Sequence, residues 1–448
     1  MGFMSIPLPV ISSWDPRATS SGSIDPLGAL RAYNAIAGFL VPGVTTITTR
    51  TRYLSWMCAG LRLLDEVDGA PVGGTAARSR RQRLLAWERF LVLATGHYAA
   101  SRDLPQDAPE WRGLRGISYV RNALGQGTTT TEFELLKNQA GVGGVGTYWV
   151  TLVQGGLVED MSAELTDRGA KLAEEFLKRL GAPTRSSTRE RLCRILRGDV
   201  VEYPLSDLIG WGKTASLNTS VGSVAEVRGL RDALLEPRTQ RLLSRVMGPI
   251  KAPSSNRDTF RRLERALRKE RDDVATRMAA VMEMTRAFEH LHAALLDQFD
   301  RLRSLDLRGT PVARRTAANA LDLSGDLAER GAELGRCLQD LVDLPRETAA
   351  PVRQFLANVR PVLEAGSQDA FLQAICNHHE RVQTGKLDAS RQPKQAWVVL
   401  QDNHVVVSPR FAIDGVPKPR ESTAFTHPYR IESLAGMLSE VAQPGVAA

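Results

Sequence analysis

Apolar residues recur at three- and four-residue spacing along most of this chain, the pattern of helices that bury one face. Asp25-Pro26 opens the first such run, with Asp as N-cap and Pro in the first turn, and Leu27, Leu30, Ile36, Phe39 and Leu40 form its stripe. Pro42–Gly43 ends it. After a threonine-rich link the spacing predicts a helix over about 51–67, carrying Tyr53, Leu54, Trp56, Met57, Leu61 and Leu64. Another follows over about 78–100, with a basic entry and an aromatic body of Trp87 and Phe90. Residues 184–250 read as helical with a break at "GWGK". The longest unbroken pattern covers 257–305, from Leu263 and Leu267 to Leu295 and Phe299, and further helices are expected at about 311–342 and 346–384. Then the period drops to two. "QAWVVLQDNHVVVSPRFAI" reads as a β-hairpin turning at Asp402–Asn403, and a last helix follows "FTHPYR".

Residues 129–182 carry the clearest local pattern. "TTEFELLKNQA" reads as a helix, "GVGGVG" as a turn, and "TYWVTLVQGGLVED" as a helix entering a short strand. A strand-like "ELT" and a helix capped at Thr166–Asp167 complete the order of a winged helix-turn-helix. The expected fold is therefore mainly α and multi-domain, with a winged-helix module and a small C-terminal β-hairpin element. The expected divisions are an extended arm at 1–25, a helical domain at 26–128, the winged module at 129–182, a helical connector at 183–256, a long-helix or coiled-coil domain at 257–385 and a small α/β element at 386–448.

Few residues form a recognisable chemical motif. The four cysteines, Cys58, Cys193, Cys337 and Cys376, are far apart and form no CxxC pair, as in a reduced compartment. His290 and His292 are two apart on a helix and point to different faces, and His378–His379–Glu380 are consecutive, so neither group chelates by itself. "GVGGVG" lacks the lysine and the preceding strand of a phosphate loop. No nucleophile elbow occurs. The reading is of no catalytic, cofactor or metal residues and no cofactor. No run reaches the ~18 apolar residues of a membrane span and no leader pattern opens the chain, which points to the cytoplasm and away from membranes.

The net charge of +8 permits an anionic partner, although arginine-rich composition also follows from GC-rich coding. The basic candidates for anion or nucleic-acid contact are Arg50, Arg52, Arg78, Arg80, Arg81 and Arg83. Arg50 and Arg52 precede a helix, where cations are disfavoured by a few tenths of a kcal/mol each. A nearby anion removes that cost: an internal carboxylate such as Asp25 or Asp65, or an external phosphate. The second helix of the winged module has no Lys or Arg, and its wing carries Glu159, Asp160 and Glu164. Since DNA affinity comes largely from neutralising phosphates, Thr147, Tyr148, Thr151 and Gln154 are read as a protein-docking face. His427, Tyr429 and Arg430 form a C-terminal cluster that either lines a site or fastens the last helix.

The segment with Pro42, Gly43, Thr49, Arg50, Arg52 and Tyr53 resembles the opening of an uncharacterised bacterial family found in defence islands. That resemblance spans under a tenth of the chain. It implies a setting, antiviral defence beside helicases or ATPases, and no catalytic residues. The order of winged module, long helix and terminal β element is similar to the kleisin-like subunits of SMC-type complexes, which implies protein docking and dimerisation. The expected function is a non-enzymatic complex subunit in anti-phage defence or DNA processing. Its expected partners are other protein subunits such as an ATPase or helicase, with DNA contact and homodimerisation as further expectations. The rivals are a winged-helix DNA-binding regulator and an enzyme whose active site is assembled from distant positions.

Overall fold

A computed structural model describes residues 25–442, apart from 69–74, 106–107, 109, 111, 161, 198–201, 251, 306–309, 323–325, 342–343, 388–390, 416 and 422; the arm expected at 1–25 lies, but for Asp25, outside them. The described chain is mainly helical and falls into two compact units. One takes residues 41–244 and 433–442, the other 25–40 and 245–432. Residues 129–182 lie wholly within the first.

The chain starts in the second unit with α1 (Leu30–Leu40). The helix begins later than the Asp25-Pro26 signal suggests, because residues 26–28 form a bend in which Gly28 takes φ 76°. Asp25 still caps the entry from a distance, accepting from the amides of Ala29 (2.7 Å) and Leu30 (3.2 Å).

In the first unit come α2 (Tyr53–Asp68), α3 (Thr75–Ser101) and α4 (Ile117–Gly125). Then follow α5 (Gln139–Val142), α6 (Gly144–Gln154) and α7 (Asp167–Arg179). After these come α8 (Ser187–Arg197), α9 (Leu205–Ala215) and α10 (Val224–Leu234). The helix α2 is buried on nearly all sides from Tyr53 to Leu64. "TTEFELLKNQA" is not helical except at its end. The winged pattern is reduced to α5, α6, a single bridge between Val158 and Leu165, and α7, whose cap is Thr166 as its sequence predicts. "GWGK" does not break a helix. Gly212 sits inside α9 because a Cβ there would run into the Ala94 carbonyl, so the glycine permits close packing on α3.

The helix α11 (Arg238–Met247) is followed, in the second unit, by α12 (Arg257–Leu267) and α13 (Asp273–Arg303). The expected long helix is thus a hairpin of two packed helices. Its break is set by Asp272, which caps α13 through the amides of Val274 and Ala275. The region expected as one helix over 311–342 holds β1 (Val312–Ala313), α14 (Arg314–Asn319) and α15 (Leu327–Gln339). The next splits at Ser367 into α16 (Arg346–Leu363) and α17 (Gln368–Thr384). The expected hairpin is present as β2 (Val398–Gln401) and β3 (His404–Val407), with Asp402 at φ 48° in its turn. β1 adds antiparallel to β3, pairing Val312 with Val405, to give the sheet order β1-β3-β2. The last helix, α18 (Ile431–Glu440), enters the first unit at Ser433.

Candidate functional site

The sequence points first to the arginines of the first unit. Arg52 and Glu226 are both 0 % exposed and face each other as a fork, Nε to Oε1 at 2.9 Å and Nη2 to Oε2 at 3.1 Å. Arg52 also donates to the carbonyls of Thr214 (3.0 Å) and Ser216. Arg50 pairs with Glu440 at 2.7 Å and donates to the carbonyls of Arg112 and Leu217, 2.8 Å each. The anions that offset the placement of these cations are therefore Glu226 and Glu440. Asp65 instead pairs with the buried Arg80. Arg81 binds Asp160 at 2.9 Å and covers the Trp149 ring, and Arg83 pairs with Asp68. The side chain of Arg78 lies outside the described residues.

The docking face read on α6 is turned inward. Thr147, Tyr148 and Thr151 are buried, and only Gln154 is exposed. The Tyr148 hydroxyl accepts from the amides of Thr49 (3.0 Å) and Arg50 (2.8 Å), and Thr151 donates to the Gly43 carbonyl at 2.5 Å. This face is internal because α6 braces the Thr-Arg-x-Arg-Tyr segment. The glycine-rich run ahead of it also packs against an internal carboxyl group, whose pKa burial raises. The buried Glu88 accepts from the Gly144 amide and from Gln139 (3.0 Å), and a Cβ on Gly144 would meet both Glu88 and Tyr53.

The second unit assembles titratable groups from distant positions. Glu289 and His292 lie one turn apart on one face of α13, and Thr426, His427 and Tyr429 come from the segment before α18. Glu289 is 1 % exposed and accepts four hydrogen bonds. His427 Nδ1 (2.7 Å) and the Tyr429 hydroxyl (2.6 Å) reach Oε1, while the Thr426 amide and hydroxyl (2.6 Å each) reach Oε2. Because the Thr426 proton goes to Glu289, His292 Nδ1 donates to Thr426 Oγ1 at 2.8 Å. The other nitrogen of His292 is buried without a partner. The His427 ring stacks between Tyr33 (4.8 Å) and His292 (4.9 Å), with Phe288 and Phe355 alongside His292.

Burial pushes the Glu289 pKa up, but the His427 imidazole, with His292 and the Thr426 donors, pulls it further down, to about 2. Burial, aided by His427, pushes His292 down to about 3, so it is neutral at pH 7. Arg430 is buried beside Asn34, and Tyr33 donates to the Pro428 carbonyl at 2.7 Å. His378 and His379 belong elsewhere: they hold the carbonyls of Leu27 and Pro26, and His379 Nε2 accepts from the Trp397 amide at 2.8 Å. The sequence reading named His427, Tyr429 and Arg430 but missed Glu289 and His292. The local signal is Glu289-x-x-His292, whose spacing puts both side chains on one face of a helix, whereas His290 and His292 diverge.

The second unit also presents an open groove of about 850 Å³ between α15 and α16. Its floor is Ala328, Gly331, Ala332 and Gly335 with Leu356 and Leu363, and its rim carries Arg336, Arg353 and Arg360 against the single acid Glu364. A Cβ on Gly331 would touch Leu363, and one on Gly335 would face Leu356, so the helices run antiparallel. Comparison with family models, curated proteins and solved structures gives no match.

Proposed function

We propose that this chain is a non-enzymatic subunit that docks another polypeptide, and that the α15–α16 groove receives it. The groove carries this reading. Its lining runs from Ala328 to Gln339 on one helix and from Arg353 to Glu364 on the other. At a rise of about 1.5 Å per residue each run extends for about 16 Å, three turns of a helix. A floor of small and leucine side chains suits the apolar face of an amphipathic helix, and three arginines against one glutamate favour acidic flanks on that helix. The N-terminal resemblance supports anti-phage defence or DNA processing as the setting.

The test is co-expression of the full chain with the products of neighbouring genes. The expected result is a stable complex that Ala332→Glu and Arg336→Glu each weaken at least about tenfold, roughly 1.4 kcal/mol, while both variants melt as the wild type does. Unchanged affinity in both variants would overturn the reading.

Nucleic-acid contact is a second reading, supported by the exposed face of α12, where Arg261, Arg262 and Arg265 lie side by side. It fits this face better than α6, which has no cation and turns its threonines inward. Salt-dependent duplex binding lost on Arg261→Glu and Arg265→Glu is its expected signature.

A further inference from the structure

The two histidines and the glutamate of the second unit form a set that hydrogen bonding alone does not use up. One donor atom from each of Glu289, His292 and His427 lies within 4.8 Å of the other two. Two imidazoles and a carboxylate are the donors of a zinc-class cation, and three protein ligands leave a fourth position open.

The surroundings have the form of a metal site's outer shell. A ligating carboxylate is held by further donors, and the Thr426 amide, the Thr426 hydroxyl and the Tyr429 hydroxyl already hold Glu289 at 2.6 Å each. Ligating imidazoles are walled by apolar rings, here Tyr33, Phe288 and Phe355. His292 is 3 % exposed and keeps one nitrogen without a partner, a buried polar atom that no hydrogen bond explains. His427 is less enclosed and gives the cluster an edge toward solvent.

We propose that Glu289, His292 and His427 bind one divalent zinc-class cation, which clamps the segment before α18 onto α13. The cation takes the place of the Nδ1 proton joining His427 to Glu289; that proton moves to the other ring nitrogen or to solvent. No bond is made or broken beyond coordination and no electron is transferred. This inference stands apart from the docking reading, since it concerns different residues and a different ligand.

The experiment uses the full chain, stripped with a chelator and titrated with Zn²⁺ in competition with a chromophoric chelator. One equivalent per chain is expected, and His427→Gln and His292→Gln are each expected to lower the affinity by about a hundredfold, at the upper end of what even outer-shell changes cause. Circular dichroism and the melting temperature of the metal-free variants establish that they are folded. Co²⁺ gives a readout that needs no variant: visible ligand-field bands without a thiolate charge-transfer band are expected. Failure of the wild type to take up an equivalent, a thiolate band, or variants that bind within threefold of wild type would each overturn the proposal.

Discussion

Glu226→Gln tests the structural role of the Thr-Arg-x-Arg-Tyr segment. The substitution keeps the shape of the side chain and removes its charge. Arg52 and Glu226 share two charge-assisted hydrogen bonds with no solvent exposure on either side. Each such bond contributes about 1.5–3 kcal/mol. The substituted amide retains one acceptor, so one bond is lost, and the guanidinium keeps the other together with the Thr214 and Ser216 carbonyls but has no anion to offset its charge. The expected cost is about 3 kcal/mol, at the lower edge of the 3–5 kcal/mol for breaking a buried pair. At about 2–4 °C per kcal/mol for a body of this size, the melting temperature of the first unit falls by roughly 6–12 °C. Because the chain has two units, the change should be followed by amide exchange over Tyr53–Asp68 as well as by a thermal scan. Replacing both partners, Arg52→Met with Glu226→Leu, is expected to lie closer to wild type than either single change, because no buried charge is then left alone. A folded Glu226→Gln protein that melts within about 1 °C of wild type would refute the reasoning and reopen Arg52 as a ligand-binding group.

Two further outcomes follow from the charges. Glu174 is pulled down to about 2 by its hydrogen bond from Arg189, against the opposing effect of burial, with Arg62 adding to the pull. Its stabilising contribution is therefore complete above its ordinary value near 4.5 and lost as pH falls toward 2. Discounted for its partial exposure, the contribution is about 1 kcal/mol, so wild type and Glu174→Gln should differ by that amount at pH 6 and converge near pH 2 in denaturant unfolding. Burial raises all four cysteine thiols, Cys337 to about 11 and Cys376 to about 12. Iodoacetamide at pH 7.5 should modify none quickly in the native protein, with the half-buried Cys337 first, and all four after denaturation; rapid native labelling of Cys58 would contradict the packing of α2.

Local features of the fold are legible in the sequence. The Thr166 cap, the helical stripes of α2 and α3, and the Asp402–Asn403 turn are short-range chemistry, read where they stand. What escapes is set by contacts far along the chain. β1 is two residues long and exists because β3 offers it an edge. Gly212 reads as a break until Ala94 is placed against it. Arg52 meets Glu226 across 174 residues, and Glu289 meets His427 across 138. For the same reason α6 looked like a presented face: Thr151 and Tyr148 find their partners at Gly43, Thr49 and Arg50, about a hundred residues earlier.

The docking claim is tested most directly by placing a photo-crosslinking phenylalanine at Ala332 and irradiating the full chain in its native cells. Ala332 is exposed on the groove floor, and Leu387, also exposed, serves as the control position outside it. The account expects one adduct from Ala332, absent from Leu387, whose crosslinked peptide maps to an acidic amphipathic helix of another polypeptide. No adduct at Ala332, or the same adducts from both positions, contradicts it.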